Sequence, residues 1–225
     1  SVTLPTRWQY VGDRPTYRTA TDVVGPGVAG AGAAFLGDAA VTTRVVDGLT
    51  LHYVRPARAT DAPAAADLFS MYDAAGEYLP DGGRSEVSVF ALPATDVTTA
   101  ISGCSIQSRD DRSSVFVLSD SPTNHPQNPW LHELVHSQQR FETADDMRWV
   151  VEGSADYLAA TLTLNQGRIG YARYTRALST DGHRGVVLTD PGTWRTAGGR
   201  SDYEKGAAVL AALDGELYAA TDGEG

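Results

Sequence analysis

Apolar and polar positions alternate with the strand period in the first part of the chain and repeat with the helical period in the second. From Ser1 to about Ala59, glycine and proline punctuate short β-branched runs, of which Thr42 to Val46 and Leu49 to Val54 are read as strands. Asp61 to Ala75 gathers Ala66, Leu68, Phe69 and Tyr72 on one helical face, with Asp61 as N-cap, Pro63 in the first turn and Gly76 as the stop. Glu86 to Leu92 alternates with period two and Ser114 to Leu118 is a further β-branched run, so the two are expected to be sheet neighbours.

After Asp120 the period changes. Asn128-Pro129 pairs a capping residue with a proline at the first helical position and opens a helix expected to run to about Phe141. Thr143, with Asp146 three residues on, is read as the cap of a second helix that carries the run Trp149 to Leu164 and stops at Asn165-Gln166-Gly167. Further helices are expected over Tyr171 to Leu178 and Tyr203 to Tyr218. Strands first and helices afterwards predict an α+β fold, a small mixed sheet lobe on a helical lobe, with a cleft between them as the natural place for a site. The expected organisation is a leading β-rich segment over residues 1–59, the end of an N-terminal domain, and a catalytic domain over residues 60–225.

The chemistry begins in the first of these helices, at His132-Glu133-Leu134-Val135-His136. Residues four apart stand one turn above each other on the same helical face, so both imidazoles can reach one ion while Glu133 stays free to take a proton from a water activated there. Taken alone, this pattern is equally well a solvated helix with two unrelated histidines. Leu131, Leu134 and Val135, however, predict that the helix is partly buried. A third ligand is expected at Glu152, a carboxylate inside the apolar run Val150 to Tyr157, where an unpaired charge is costly. The alternative for Glu152 is an ion pair with Arg148, one turn back. Two histidines and one carboxylate leave a fourth position open, the donor set of a catalytic zinc ion, one per chain. Asp156 falls on the same face as Glu152 and can hold the other nitrogen of a ligand imidazole.

Composition narrows the partners. A formal net charge of -10 without a basic stripe argues against nucleic acid. No apolar stretch reaches the roughly 18 residues of a membrane span, and Ser1 is not followed by a signal sequence. The tail Thr221 to Gly225 reads as a cut in a longer chain, and the expected location leans to the cell envelope or outside the cell. Cys104 is the only cysteine, so any metal must be held by His and carboxylates. Lys205 is the only lysine among otherwise Arg-based cations, a balance shared by salt-loving microbes and by high-GC coding.

Three segments together resemble the gluzincin metallopeptidases, and within them the glycyl-aminopeptidase-like and aminopeptidase N branches: His132-Glu133-x-x-His136, Glu152-Gly153 before Ala155, and Tyr203-Glu204-Lys205-Gly206-Ala207. The resemblance covers the chain from Asp120 onward and implies a thermolysin-like catalytic domain, with the active-site helix between the lobes, that hydrolyses a peptide or protein substrate. It implies that Tyr203 hydrogen-bonds the tetrahedral intermediate opposite zinc. The spacing Glu152-x-x-x-Asp156 is closer to thermolysin, which implies for Asp156 the support of a ligand histidine. The aminopeptidase segment that binds a substrate amine through a glutamate corresponds here to Gly103-Cys104-Ser105-Ile106-Gln107, with Gly103 and Gln107 in the substrate-binding places and a neutral Gln in the acidic one. Cleavage of an internal bond or of an unusual amino end is then as open as aminopeptidase action. A different class, a zinc-stabilised peptide-binding or scaffold module without turnover, is favoured by Gln107 and opposed by the presence of Glu133 and Tyr203. His125 and His183 are read as solvated loop residues, and Trp149 and Trp194 as core or cleft wall.

Overall fold

Strand-forming and helix-forming stretches fall largely into different units, much as they do in sequence. The structure is a computed structural model that describes residues 6–11, 14–19, 23–46, 48–79, 84–96, 101–107, 111–179, 183–190, 192–193 and 200–221, the first two ranges by backbone alone. Trp194 lies outside them. Two compact units emerge, Ser1–Gly76 with Pro80–Ser121, and Glu77–Leu79 with Pro122–Gly225. The chain is α+β: a five-stranded mixed sheet belongs to the first unit and most of the helix to the second.

In the first unit, β1 (Thr6–Val11) pairs with β2 (Arg14–Thr19), and β3 (Gly27–Gly30) with β4 (Ala33–Leu36), both antiparallel. The larger sheet is built from β5 (Ala39–Val46), β6 (Leu49–Pro56), β7 (Glu86–Leu92), β8 (Gly103–Gln107) and β9 (Arg112–Leu118), in the order β5-β6-β7-β9-β8. The three central strands β6, β7 and β9 are parallel, while β5 and β8 close the two edges antiparallel. Central parallel strands are covered on both faces, which accounts for the unbroken burial of Val87 to Ala91 in β7. The expected neighbours β7 and β9 do pair, and Phe90 stacks on its register partner Phe116. β6 and β7, which flank the boundary expected at residues 59 and 60, are hydrogen-bonded neighbours in this one sheet.

The helix α1 (Ala65–Gly76) joins β6 to β7 and buries Leu68, Phe69, Met71 and Tyr72. It starts four residues after the expected cap at Asp61, because the chain turns first, Ala62 N donating to Ala59 O and Tyr53 Oη to Pro63 O.

The second unit holds α2 (Pro129–Gln138), α3 (Trp149–Asn165), α4 (Tyr171–Ala177) and α5 (Ser201–Ala220). Asn128 caps α2 as the sequence predicts, its side-chain oxygen accepting from Trp130 N at 3.1 Å. The helix ends three residues earlier than Phe141, since Gln139 is already extended. Thr143 does not cap α3: residues Asp145–Met147 form a separate 3-10 turn closed by Met147 N to Ala144 O, and α3 begins after Arg148. No helix among the described residues is long and apolar enough to cross a membrane.

The crossing of α3 and α5 depends on two glycines. A Cβ on Gly153 would lie 2.7 Å from Gly206 Cα, and one on Gly206 would lie 3.0 Å from Gly153 Cα and 3.1 Å from Trp149 O. Backbone therefore rests on backbone, which brings Glu152 and Tyr203, each beside or near one of these glycines, within reach of each other. Replacing Gly206 by Ala forces the helices apart, and thermal unfolding is expected to show destabilisation of about 1–3 kcal/mol, the usual cost of overpacking.

Candidate metal centre

Along α2 the apolar residues Trp130, Leu131, Leu134 and Val135 are buried, and this fixes the helix so that His132 and His136 share one face. His132 is buried and His136 half-buried, and the start of α3 turns Glu152 towards both. His132 Nε2 and His136 Nε2 are 2.9 Å apart, and Glu152 Oε2 lies 3.1 Å from His136 Nε2 and 3.6 Å from His132 Nε2. Among the described residues these three form a group that could hold a metal ion.

The donor set can be tested against an ion by geometry and by proton count. Zinc bonds of 2.0–2.1 Å in a tetrahedron place donors roughly 3.3 Å apart, close to the triangle observed. The other nitrogen of each imidazole is already committed. His132 Nδ1 lies 2.8 Å from Asp156 Oδ1, and His136 Nδ1 lies 2.8 Å from Gln139 Oε1. Gln139 cannot turn its amide without loss, because its Nε2 donates to Val151 O and Ser154 Oγ, both at 2.9 Å. Each Nδ1 is thus the donor, and in the neutral tautomer both Nε2 lone pairs face the same point as a carboxylate oxygen. Only a cation or extra protons can satisfy such an arrangement, and the residues fit a metal.

Electrostatics carry the same signature. Burial lowers the pKa of His132, but hydrogen bonds to Asp156 and Glu152 and the charges of Asp156 and Glu133 outweigh it and push it up to about 9. Burial raises Glu152, yet the hydrogen bonds and charges of both histidines bring its carboxyl well below the usual range. Glu133, buried on α2 beside the ligands, is raised by desolvation against the opposing pull of His132 and His136. Its Oε2 is buried without a hydrogen-bond partner. Tyr203, near the start of α5, stacks on His132 with ring centroids 5.9 Å apart. Burial, the Glu152 charge and a hydrogen bond to Glu152 push its phenol well above the ordinary tyrosine value, so it remains a donor.

A pH dependence follows for the chelator-treated protein. The folded pKa of His132 lies above its unfolded value of about 6.5, so its stabilisation is complete below that pH and is lost as pH rises through about 9. The stability of the metal-free protein is expected to fall across this window by on the order of 3 kcal/mol at most, and its melting temperature to fall with it. Metal-loaded protein should not show the fall, since the ion replaces the proton; thermal scans with and without chelator from pH 6 to 9.5 check this.

The expected site residues His132, His136, Glu152, Asp156, Glu133 and Tyr203 all come from the second unit, and Glu152 engages the histidines and Tyr203. Gly103 and Gln107 lie on the edge strand β8 of the first unit, where Gln107 Oε1 accepts from Arg84 at 2.9 Å. His125 and His183 are half-buried and engaged: His125 Nδ1 accepts from Gln127 N, and His183 Nε2 lies 2.7 Å from Glu204 Oε2. Trp149 packs in a core with Val186 and Leu188.

Two supporting residues escape the sequence reading. Gln139, three positions after His136, orients that ligand, and its spacing was the available signal. Arg200 lies over the Tyr203 ring at 5.1 Å, with a nitrogen 4.0 Å from Asp156 Oδ2, but it follows no motif. The chain matches no protein-family model, and no curated protein matches it significantly.

Proposed function

We propose that this chain is a zinc metallopeptidase with a thermolysin-like catalytic domain. The observation that carries the reading is the convergence of His132 Nε2, His136 Nε2 and Glu152 Oε2, with each imidazole's second nitrogen held by Asp156 or Gln139. Bound there, zinc supplies the positive charge that brings the pKa of a water near 7 and polarises the scissile carbonyl.

The chain's own residues supply the rest. Glu133 takes the proton of the attacking water, a task suited to a buried carboxylate whose pKa has risen towards the working pH. Its unpaired Oε2 supplies the acceptor. The same carboxyl then passes the proton to the leaving nitrogen. Tyr203 keeps its phenol proton and donates it in a hydrogen bond to the oxyanion as charge develops there. Asp156 and Gln139 keep the imidazoles in the tautomer that ligates.

In the resemblance to the aminopeptidases a neutral Gln107 stands where their amine-binding glutamate does, and this favours cleavage that does not depend on an unblocked amino end. The test is hydrolysis of matched unblocked and N-acetylated peptide libraries, with and without chelator. Chelator-sensitive cleavage of both libraries is expected. Cleavage of the unblocked set alone would return the reading to an aminopeptidase, and none in zinc-loaded protein would select the non-catalytic peptide-binding module.

A further inference from the structure

The first turn of α5 carries Tyr203 and is held from within by the Asp202 carboxylate, which accepts from the backbone N–H groups of Asp202 and Tyr203. The N-cap Arg200 makes no side-chain cap bond, and Ser201 Oγ is buried without a hydrogen-bond partner. Helix starts of this kind are firmer when also tied from outside.

Beyond the contacts of Tyr203 itself, further ties come from the two residues that follow it. Glu204 Oε2 pairs with His183 Nε2 at 2.7 Å, and Lys205 Nζ donates to His183 O at 3.2 Å and to Val186 O at 2.5 Å. Charge-assisted bonds from a half-buried ammonium to carbonyls are stronger than neutral ones. The loop that receives them is itself firm. Val186 N donates to His183 O, and the Thr193 hydroxyl accepts from Val187 N at 3.0 Å and donates to Val187 O at 2.8 Å. Val186 and Leu188 are sunk against Trp149, flanked by Met147, Val150, Val209 and Leu210. Trp149 and Val150 open α3, in the same turn as Glu152. The start of α5 is thereby tied to a loop seated on the start of α3.

We infer that Lys205, the only lysine of the chain, is the positioning residue for Tyr203: its clamp on the carbonyls of His183 and Val186 holds the phenol at Glu152. The catalytic consequence rests on the peptidase reading; the clamp itself does not. Lys205 acts through Tyr203, so its removal lowers turnover without changing metal or substrate binding.

The experiment compares Lys205→Met, Lys205→Arg, Tyr203→Phe and the double variant Lys205→Met/Tyr203→Phe in the zinc-loaded full chain, by peptide kinetics and amide hydrogen exchange. Lys205→Met should lower kcat about 10- to 100-fold, the cost of a displacement on the order of 1 Å, with KM and zinc content unchanged. Lys205→Arg, which keeps charge and donors, should restore most of the rate. The double variant should be no slower than Tyr203→Phe alone, as expected for two residues that act as a unit. Exchange should quicken in Lys205→Met at residues 183–188 and 203–206 and stay unchanged in α2.

A wild-type kcat in Lys205→Met, a loss that adds to that of Tyr203→Phe, or unchanged exchange at 203–206 would overturn the assignment. Should Lys205→Met not fold, Lys205→Gln, which shortens the side chain and removes the charge that clamps the carbonyls of His183 and Val186, carries the same expectations. If zinc-loaded wild type cleaves no peptide, the peptidase reading fails separately and the exchange pattern alone decides the clamp.

Discussion

Glu133→Gln is expected to cut peptide hydrolysis by roughly 10²–10⁴-fold while zinc content stays at the wild-type level. Glu133 follows His132 in sequence but makes none of the short contacts that join His132, His136 and Glu152, so losing its charge leaves the donor set intact. What disappears is the acceptor for the water's proton. The substitution should also leave the fold at least as stable as before. A buried carboxylate raised by desolvation, with one oxygen unpaired, is a strained group, and an amide of the same shape removes its charge. Retained turnover in this variant, measured as kcat at saturating peptide, would remove Glu133 from the mechanism.

Glu152→Ala should have the opposite profile. Here the expected loss is of the metal itself, and of activity with it. The Glu152 carboxylate meets both histidines and accepts from Tyr203, so removing it takes away one of three ligands and loosens the oxyanion partner. The weakening of zinc affinity should exceed the roughly 10–100-fold expected for a supporting partner. Asp156→Asn and Gln139→Ala, which disturb the orientation of an imidazole but leave all three ligands in place, set that comparison. Wild-type protein at 1,000 times the dissociation constant gains about 4 kcal/mol from bound metal. That zinc-dependent rise in melting temperature should vanish in Glu152→Ala, read by zinc titration with thermal scans. A variant that binds zinc as tightly as wild type would exclude Glu152 as a ligand.

The parts of this site that were legible in sequence are those set by one helix's own period. His132 and His136 share a face because they are four apart, Asn128 caps because its side-chain oxygen can accept from a first-turn N–H, and Asp156 follows Glu152 by one turn. The convergence of α2 with α3 was inferred only from the cost of an unpaired Glu152, and it was the fold that turned that carboxylate to the histidines. Contacts between distant segments left no periodic trace. Gln139 returns from beyond the end of α2 to its own ligand and to Val151 on α3, and Lys205 reaches back to the carbonyls of His183 and Val186. The glycine pair Gly153 and Gly206 looked like fragments of two motifs, while physically it is a single crossing point. Helix starts were the weakest readings, because Asp61 and Thr143 are good capping types in places where the chain turns before the helix begins.

The most direct measurement is the zinc content of the metal-replete chain by elemental analysis, paired with the same determination on His136→Ala. One zinc per chain is expected in the wild type, removed by chelator and restored on reloading, and none in the variant. No zinc in the replete wild type, or an undiminished zinc in His136→Ala, would contradict the metal centre proposed for these residues.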